Sequence, residues 1–193
     1  MFIADPPMTA AVRAAFDGAN AEDGYIPHYV RLWSWRPELA QTFTDLRKSV
    51  LTSTTLSERE RALTVSAAVS TLGDSACSLA WGSRLAALIG AEEAAHVVRN
   101  RDSDALTKRE RALMHWVRSV ARDPNGTKRE DVDALRAAGF NDREIFEATL
   151  LTAFRLAFSI VNDALGAAPD VQLYEGAPPE IREAVTFGRA PAR

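Results

Sequence analysis

The feature that most constrains this chain is an octet that occurs twice. Leu56-Ser57-Glu58-Arg59-Glu60-Arg61-Ala62-Leu63 returns fifty residues later as Leu106-Thr107-Lys108-Arg109-Glu110-Arg111-Ala112-Leu113, with six of eight positions identical. Each copy opens with an S/T-x-x-E capping box, in which hydroxyl and carboxylate satisfy free backbone N–H groups of a first helical turn. Two matching helix starts point to an internally repeated helical architecture. Shared capping chemistry can also produce a match of this length without common origin. After the first octet, apolar and small residues run to Leu72, and Gly73 suits a left-handed helix stop. Asp74 then caps a second helix to about Leu88. Cys77, the only cysteine, falls at its third position, with Trp81 one turn later on the same face.

Upstream, the sequence predicts a short helix over residues 8–17, a polar loop from Gly18 to Gly24, and a helical stretch from Pro27 to about Trp35. Pro37 restarts a helix through Leu39, Phe43, Leu46 and Val50. Trp33 and Trp35 are candidate cavity walls, although core packing accounts for them as well. Downstream come a short helix from Ala91 to about Val98, the second octet helix, and a turn at Asp123-Pro124-Asn125-Gly126. A helix capped around Thr127 to Glu130 follows and stops at Gly139. The longest helix starts at Asn141-Asp142-Arg143-Glu144 and ends near Gly166. Its apolar residues cover nearly the whole circumference, so it is either central to a bundle or covered by a second copy of the chain. Residues 167–193 read as a Pro-, Ala- and Gly-rich tail with a short helix from Pro179 to Val185, an arm on a neighbouring subunit or a mobile end. No stretch alternates like a strand, and the expected fold is all-α.

Length and charge narrow the function classes. At 193 residues the chain can bury a core without staples, and its net charge of -3 gives no electrostatic case for nucleic acid. Thr149, Thr152, Arg155, Ser159 and Asn162 interrupt the most apolar stretch, which therefore reads as a buried helix and not a membrane span. The N-terminus lacks the pattern of a signal peptide, and a cytoplasmic protein is expected. A single cysteine excludes an internal disulfide and a cysteine-based zinc site, and His28, His96 and His115 do not share ligand spacing. No metal and no cofactor is expected.

The S-x-x-E-R helix, the glycine, the cysteine three residues into the next helix and the residue four further on resemble the AhpD-like (alkylhydroperoxidase D-like) and carboxymuconolactone decarboxylase superfamily. The segment Ile26 to Leu39, the R-D-P turn at Arg122, the L-R-A-A-G-F stop ending at Phe140 and the A-L-G at Gly166 resemble its peroxidase-related subgroup. The resemblance covers roughly residues 24–166, leaving 1–23 as an N-terminal helix and loop and 167–193 as the tail. It implies an AhpD-like helical bundle and a homo-oligomer, a dimer or higher. The peroxidase branch carries Glu…Cys-x-x-Cys-x-x-x-His. Laid on that pattern, this chain has Ala62 for the glutamate, Asp74 for the first cysteine, Cys77 for the second and Trp81 for the histidine.

The resemblance makes Cys77 the peroxide-attacking sulfur, with Asp74 beside it and Trp81, Ala62 and Glu58 as pocket residues. First-turn amides and the helix dipole favour a thiolate at that position. Asp74 opposes it with a like charge. With no resolving cysteine, turnover needs an external thiol. Three functions follow: a divergent one-cysteine thiol peroxidase acting on a hydroperoxide, a ligand-binding or structural oligomer whose cavity beside Trp81 takes a small hydrophobic molecule, or a lyase resembling the carboxymuconolactone decarboxylases.

Overall fold

The computed structural model describes residues 1–192, and helices are the only regular structure among them. In chain order they are α1 (Ala10–Asp23), α2 (His28–Trp33), α3 (Pro37–Ser53), α4 (Glu58–Leu72), α5 (Ser75–Ile89), α6 (Ala91–Val98), α7 (Lys108–Arg122), α8 (Arg129–Ala137), α9 (Asp142–Ala164), α10 (Val171–Gly176) and α11 (Pro179–Ala184). None of them is long and apolar enough to cross a membrane.

The centre is α4. Ten of its fifteen residues are buried, and α5, α6, α7 and α9 all pack on it. Its Ala, Ser, Thr and Val side chains are short, so four neighbours can approach at once. Buried hydroxyls find backbone carbonyls: Thr64 Oγ1 donates to Glu60 of its own helix at 2.8 Å, and Ser66 Oγ donates to Trp81 of α5 at 3.1 Å. The larger apolar residues of α9 place it on the flank instead. Its inner face buries Ile145, Ala148 and Leu151, while Phe146, Ile160 and Val161 stay 65, 53 and 37% exposed on the outer face.

The two octets meet across the α4–α7 contact. Both capping boxes form, on Ser57 with Glu60 and on Thr107 with Glu110. Each helix then sends an arginine to the other's capping glutamate. Arg59 Nε donates to Glu110 Oε1 at 2.5 Å, and Arg109 Nε donates to Glu60 Oε1 at 2.7 Å. Arg61 and Arg111 each donate to the carbonyl five residues back, of Leu56 and Leu106. The repeat is thus a reciprocal exchange of ion pairs between α4 and α7. The second half carries more: Arg109 also reaches Glu144 Oε1 at 2.7 Å and lies 3.6 Å over the Phe140 ring.

Several boundaries differ from the sequence expectation. The first helix runs through the expected loop to Asp23, where Gly24 stops it in the left-handed conformation. Pro27 precedes α2 and is not in its first turn. Lys128, not Thr127, precedes α8, and its amide is bound by Asp131 at 2.8 Å. Neither is the tail a free arm. Ile181 of α11 is fully buried against Gly82, where an added Cβ would lie 3.0 Å from Ile181 Cγ2. Beyond α11 the chain crosses the start of α5. Ser75 Oγ donates to the Arg189 carbonyl at 2.8 Å, and Gly188 presses so close that a Cβ would fall 2.6 Å from the Gly73 carbonyl.

Candidate functional site

The α4–α5 turn builds the site. Gly73, at φ 91°, ends α4, and Asp74 caps α5 with Oδ1 accepting from the Cys77 amide at 2.8 Å. That bond fixes Cys77 in the first turn with its sulfur facing α4 and α9, among Val65, Val69 and Leu151; Leu51, Trp81 and Phe158 pack around this set. Cys77 is 6% exposed.

The charged partner comes from α9. Arg155, 5% exposed, donates from Nη2 to Cys77 Sγ at 2.8 Å. Its guanidinium lies 5.6 Å over the Trp81 ring and 4.8 Å over Phe158. Burial pushes the Cys77 thiol up to about 12; the Arg155 charge opposes that rise, and the Asp74 carboxylate adds to it. At rest, then, the sulfur is a thiol. Its neighbours hold unused bonding capacity: apart from the Cys77 sulfur itself, Asp74 Oδ2, Ser159 Oγ and Arg155 Nε are buried without partners among the described residues. Such groups need a ligand or water to offset their desolvation. Behind them, burial and the Asp74 charge push the Asp163 carboxyl up to about 7, opposed by Arg189.

On the other side of Phe158 lies an aromatic cleft of about 190 Å³ between α2, α3 and α9. Trp33 stacks on Phe158 at 5.4 Å and 14°, Phe43 packs on Trp33 at 5.1 Å, and Tyr29 meets Phe158 edge-on. Trp33 Nε1 donates to Asn162 Oδ1 at 2.9 Å, which fixes the indole. Trp33 therefore lines a cavity, whereas Trp35 is exposed and donates to the Ala4 carbonyl. His28 folds elsewhere, with Nδ1 2.5 Å from Asp170 Oδ1.

Of the five residues singled out from sequence, three come together: Asp74, Cys77 and Trp81. Ala62 is buried in the main core and not in the set around Cys77. Glu58 is a correction. Its exposed carboxylate pairs with Arg84 Nη2 at 2.9 Å, and Arg84 lies 5.2 Å over the Trp81 ring, so Glu58 stands outside the site. Its position at the first turn of α4 points it to solvent. Sequence reasoning missed Arg155, Ser159 and Phe158 as site residues. The available signal was Arg155 itself, a charge inside an apolar helix that must find a partner when buried.

No protein-family model matches the chain, and no curated protein matches it in sequence. Solved structures do share its fold. A peroxidase-related protein with an alkylhydroperoxidase AhpD core from Ralstonia eutropha JMP134 is 21% identical, with a TM-score of 0.75 over 99% of this chain and 97% of that one. A peroxidase-related protein from Silicibacter sp. TM1040 is 22% identical, with a TM-score of 0.72 over 86% and 88%. The debrominase Bmp8 is 14% identical at 0.75, over 96% and 98%; a cysteine-to-alanine variant of it is known in complex with 2,3,4-tribromopyrrole. The chain thus has the AhpD-like fold of peroxidase-related proteins, and at these identities the likeness is one of fold.

Proposed function

We propose that the protein is a divergent one-cysteine thiol peroxidase in which Cys77 attacks a small hydroperoxide. The observation that carries this reading is the pairing of Cys77 with an acceptor and a cation in one buried site. Asp74 Oδ2 has no partner among the described residues other than the Cys77 thiol, and Arg155 Nη2 is 2.8 Å from the sulfur. Asp74 accepts the thiol proton as the sulfur attacks the terminal peroxide oxygen. The S–O bond forms as the O–O bond breaks, and the departing alkoxide takes the proton from Asp74 and leaves as an alcohol. Arg155 steadies the negative charge first on sulfur and then on the leaving oxygen. The product is a sulfenic acid on Cys77. An external thiol displaces water from it to give a mixed disulfide, and a second thiol restores Cys77 and releases the disulfide. A thiol raised to about 12 makes the first proton transfer the demanding step.

A second reading, thiol-dependent removal of halogen from an aromatic ring, is favoured by the aromatic cleft beside Phe158 and by the fold shared with Bmp8. One experiment addresses the first reading directly. The reduced protein is exposed briefly to cumene hydroperoxide with a sulfenic-acid trap present, and its intact mass is measured. One adduct at Cys77 is expected, formed faster than on free cysteine, absent in Cys77→Ser and slowed in Arg155→Gln. No adduct on folded protein refutes the peroxidase reading and leaves ligand binding or dehalogenation.

A further inference from the structure

Two arginines on helices that pack beside Cys77, Arg155 of α9 and Arg47 of α3, form no ion pair among the described residues. Arg155 bonds the sulfur and two aromatic faces, and among the described residues no acid lies within ion-pairing distance of it. Arg47 of α3 is only partly exposed and likewise makes no ion pair among the described residues. Burial lowers the Arg47 pKa, and the Arg155 charge lowers it further, so the two cations feel each other. Asp74, the carboxylate at Cys77, holds the α5 amide through Oδ1 and pairs with neither arginine. Two like charges, one almost fully buried, are unfavourable unless an anion joins them.

The position of Arg47 says how that anion is attached. Along α3, Phe43, Arg47 and Leu51 stand four residues apart on one face. Phe43 lines the aromatic cleft, and Leu51 packs against the set around Cys77. Helical spacing therefore puts Arg47 between the residue that lines the cleft and the one beside the thiol set. Moreover, α3 contributes no fully buried residue, and it rests mainly on α1, α2 and α9, with Leu51 reaching the set around Cys77. A helix held this lightly can lift to admit a ligand.

We infer that the cleft between α3 and α9 binds a small aromatic anion, its ring against Trp33, Phe43 and Phe158 and its negative group on Arg47 and Arg155. This deepens the proposed function by naming the class of molecule delivered to Cys77, and it rests on the same site. The aromatic walls supply apolar contact, the guanidinium pair selects the charge, and the buried Arg155 Nε, without a partner among the described residues, gives the anion a further donor.

Isothermal titration calorimetry with benzoate, benzamide and acetate tests the inference. Benzoate should bind about tenfold or more tightly than benzamide, which keeps the ring without the charge, and by a similar factor over acetate, which keeps the charge without the ring. Arg47→Gln should abolish the preference for benzoate over benzamide and Arg47→Lys should restore most of it, with helicity checked in both by circular dichroism. Equal affinity for benzoate and benzamide, or for benzoate and acetate, overturns the inference, as does a preference unchanged in Arg47→Gln. Binding needs no thiol chemistry. Selective benzoate binding with no sulfenic adduct would therefore sustain this inference while refuting the peroxidase reading.

Discussion

Removing the Glu110 carboxylate should show how much the exchanged ion pairs contribute. Its side chain is 8% exposed and accepts from the Thr107 amide at 2.8 Å and from Arg59 Nε at 2.5 Å. Glu110→Ala loses half of a capping box, about 1 kcal/mol. It also strands Arg59. Breaking a fully buried pair costs about 3–5 kcal/mol, but the Arg59 side chain is 34% exposed, which reduces that share to about 2 kcal/mol. The sum, about 3 kcal/mol, should lower the melting temperature by roughly 6–12 °C for a chain of this size. Glu60→Ala should cost less, about 2 kcal/mol, because Arg109 keeps Glu144 and the Phe140 ring. Urea unfolding of wild type, Arg59→Ala, Glu110→Ala and the double variant measures the coupling, expected at about 1–2 kcal/mol. A Glu110→Ala loss below about 0.5 kcal/mol, the size of an ordinary surface substitution, would refute the idea that the octets are clamped to each other.

Four other outcomes are expected. Arginine and capping bonds outweigh burial and hold Glu60 and Glu110 below the usual carboxylate range, and similar bonds bring Glu147 to about 2. Their stabilisation is present above the unfolded values near 4.5 and should be lost as pH falls from there towards 2 in denaturant titrations; a flat acid limb would contradict it. Asp163 has the opposite sign: with its carboxyl raised to about 7, it favours the folded state fully below pH 3.8 and loses that contribution as pH rises through 7. Asp163→Asn should abolish this decline. Gly188→Val, at φ 71° and tight against Gly73, should lift the C-terminal strap, lower stability by about 2 kcal/mol and speed labelling of Cys77 by a small thiol reagent. Finally, the exposed stripe of Phe146, Ile160 and Val161 should be the self-association face, so Phe146→Glu with Ile160→Glu should shift sedimentation from oligomer to folded monomer; wild type sedimenting as a monomer would remove that role.

The local chemistry of this fold is written in the sequence, because it depends on residues within one turn of each other. Ser57 with Glu60, Thr107 with Glu110, and Asn141 with Glu144 close their capping boxes, and Gly73 and Asp74 end one helix and start the next. So Cys77 in the first turn of α5, with Trp81 packed beside the same set, is legible in the residue order alone. Packing between helices is not. Hydropathy favours α9 as the central helix, yet α4 takes that place because small Ala, Ser, Thr and Val side chains let four helices approach it. The C-terminal segment lacks a long apolar stripe, but Ile181 finds the space left by Gly82 and joins the core.

The site divides in the same way. Sequence placed a carboxylate and a thiol together, since Asp74 and Cys77 are three residues apart on one helix start. Tertiary structure alone decided that the thiol meets Arg155, 78 residues away, and that Phe158 divides it from an aromatic cleft. It also excluded Glu58, which is near Cys77 along the motif but turned to solvent with Arg84. The physical reason is range. Caps and turns are fixed by neighbours along the chain, whereas the environment of a buried sulfur is set by which helix faces it, and that depends on the shape and size of every residue in the core.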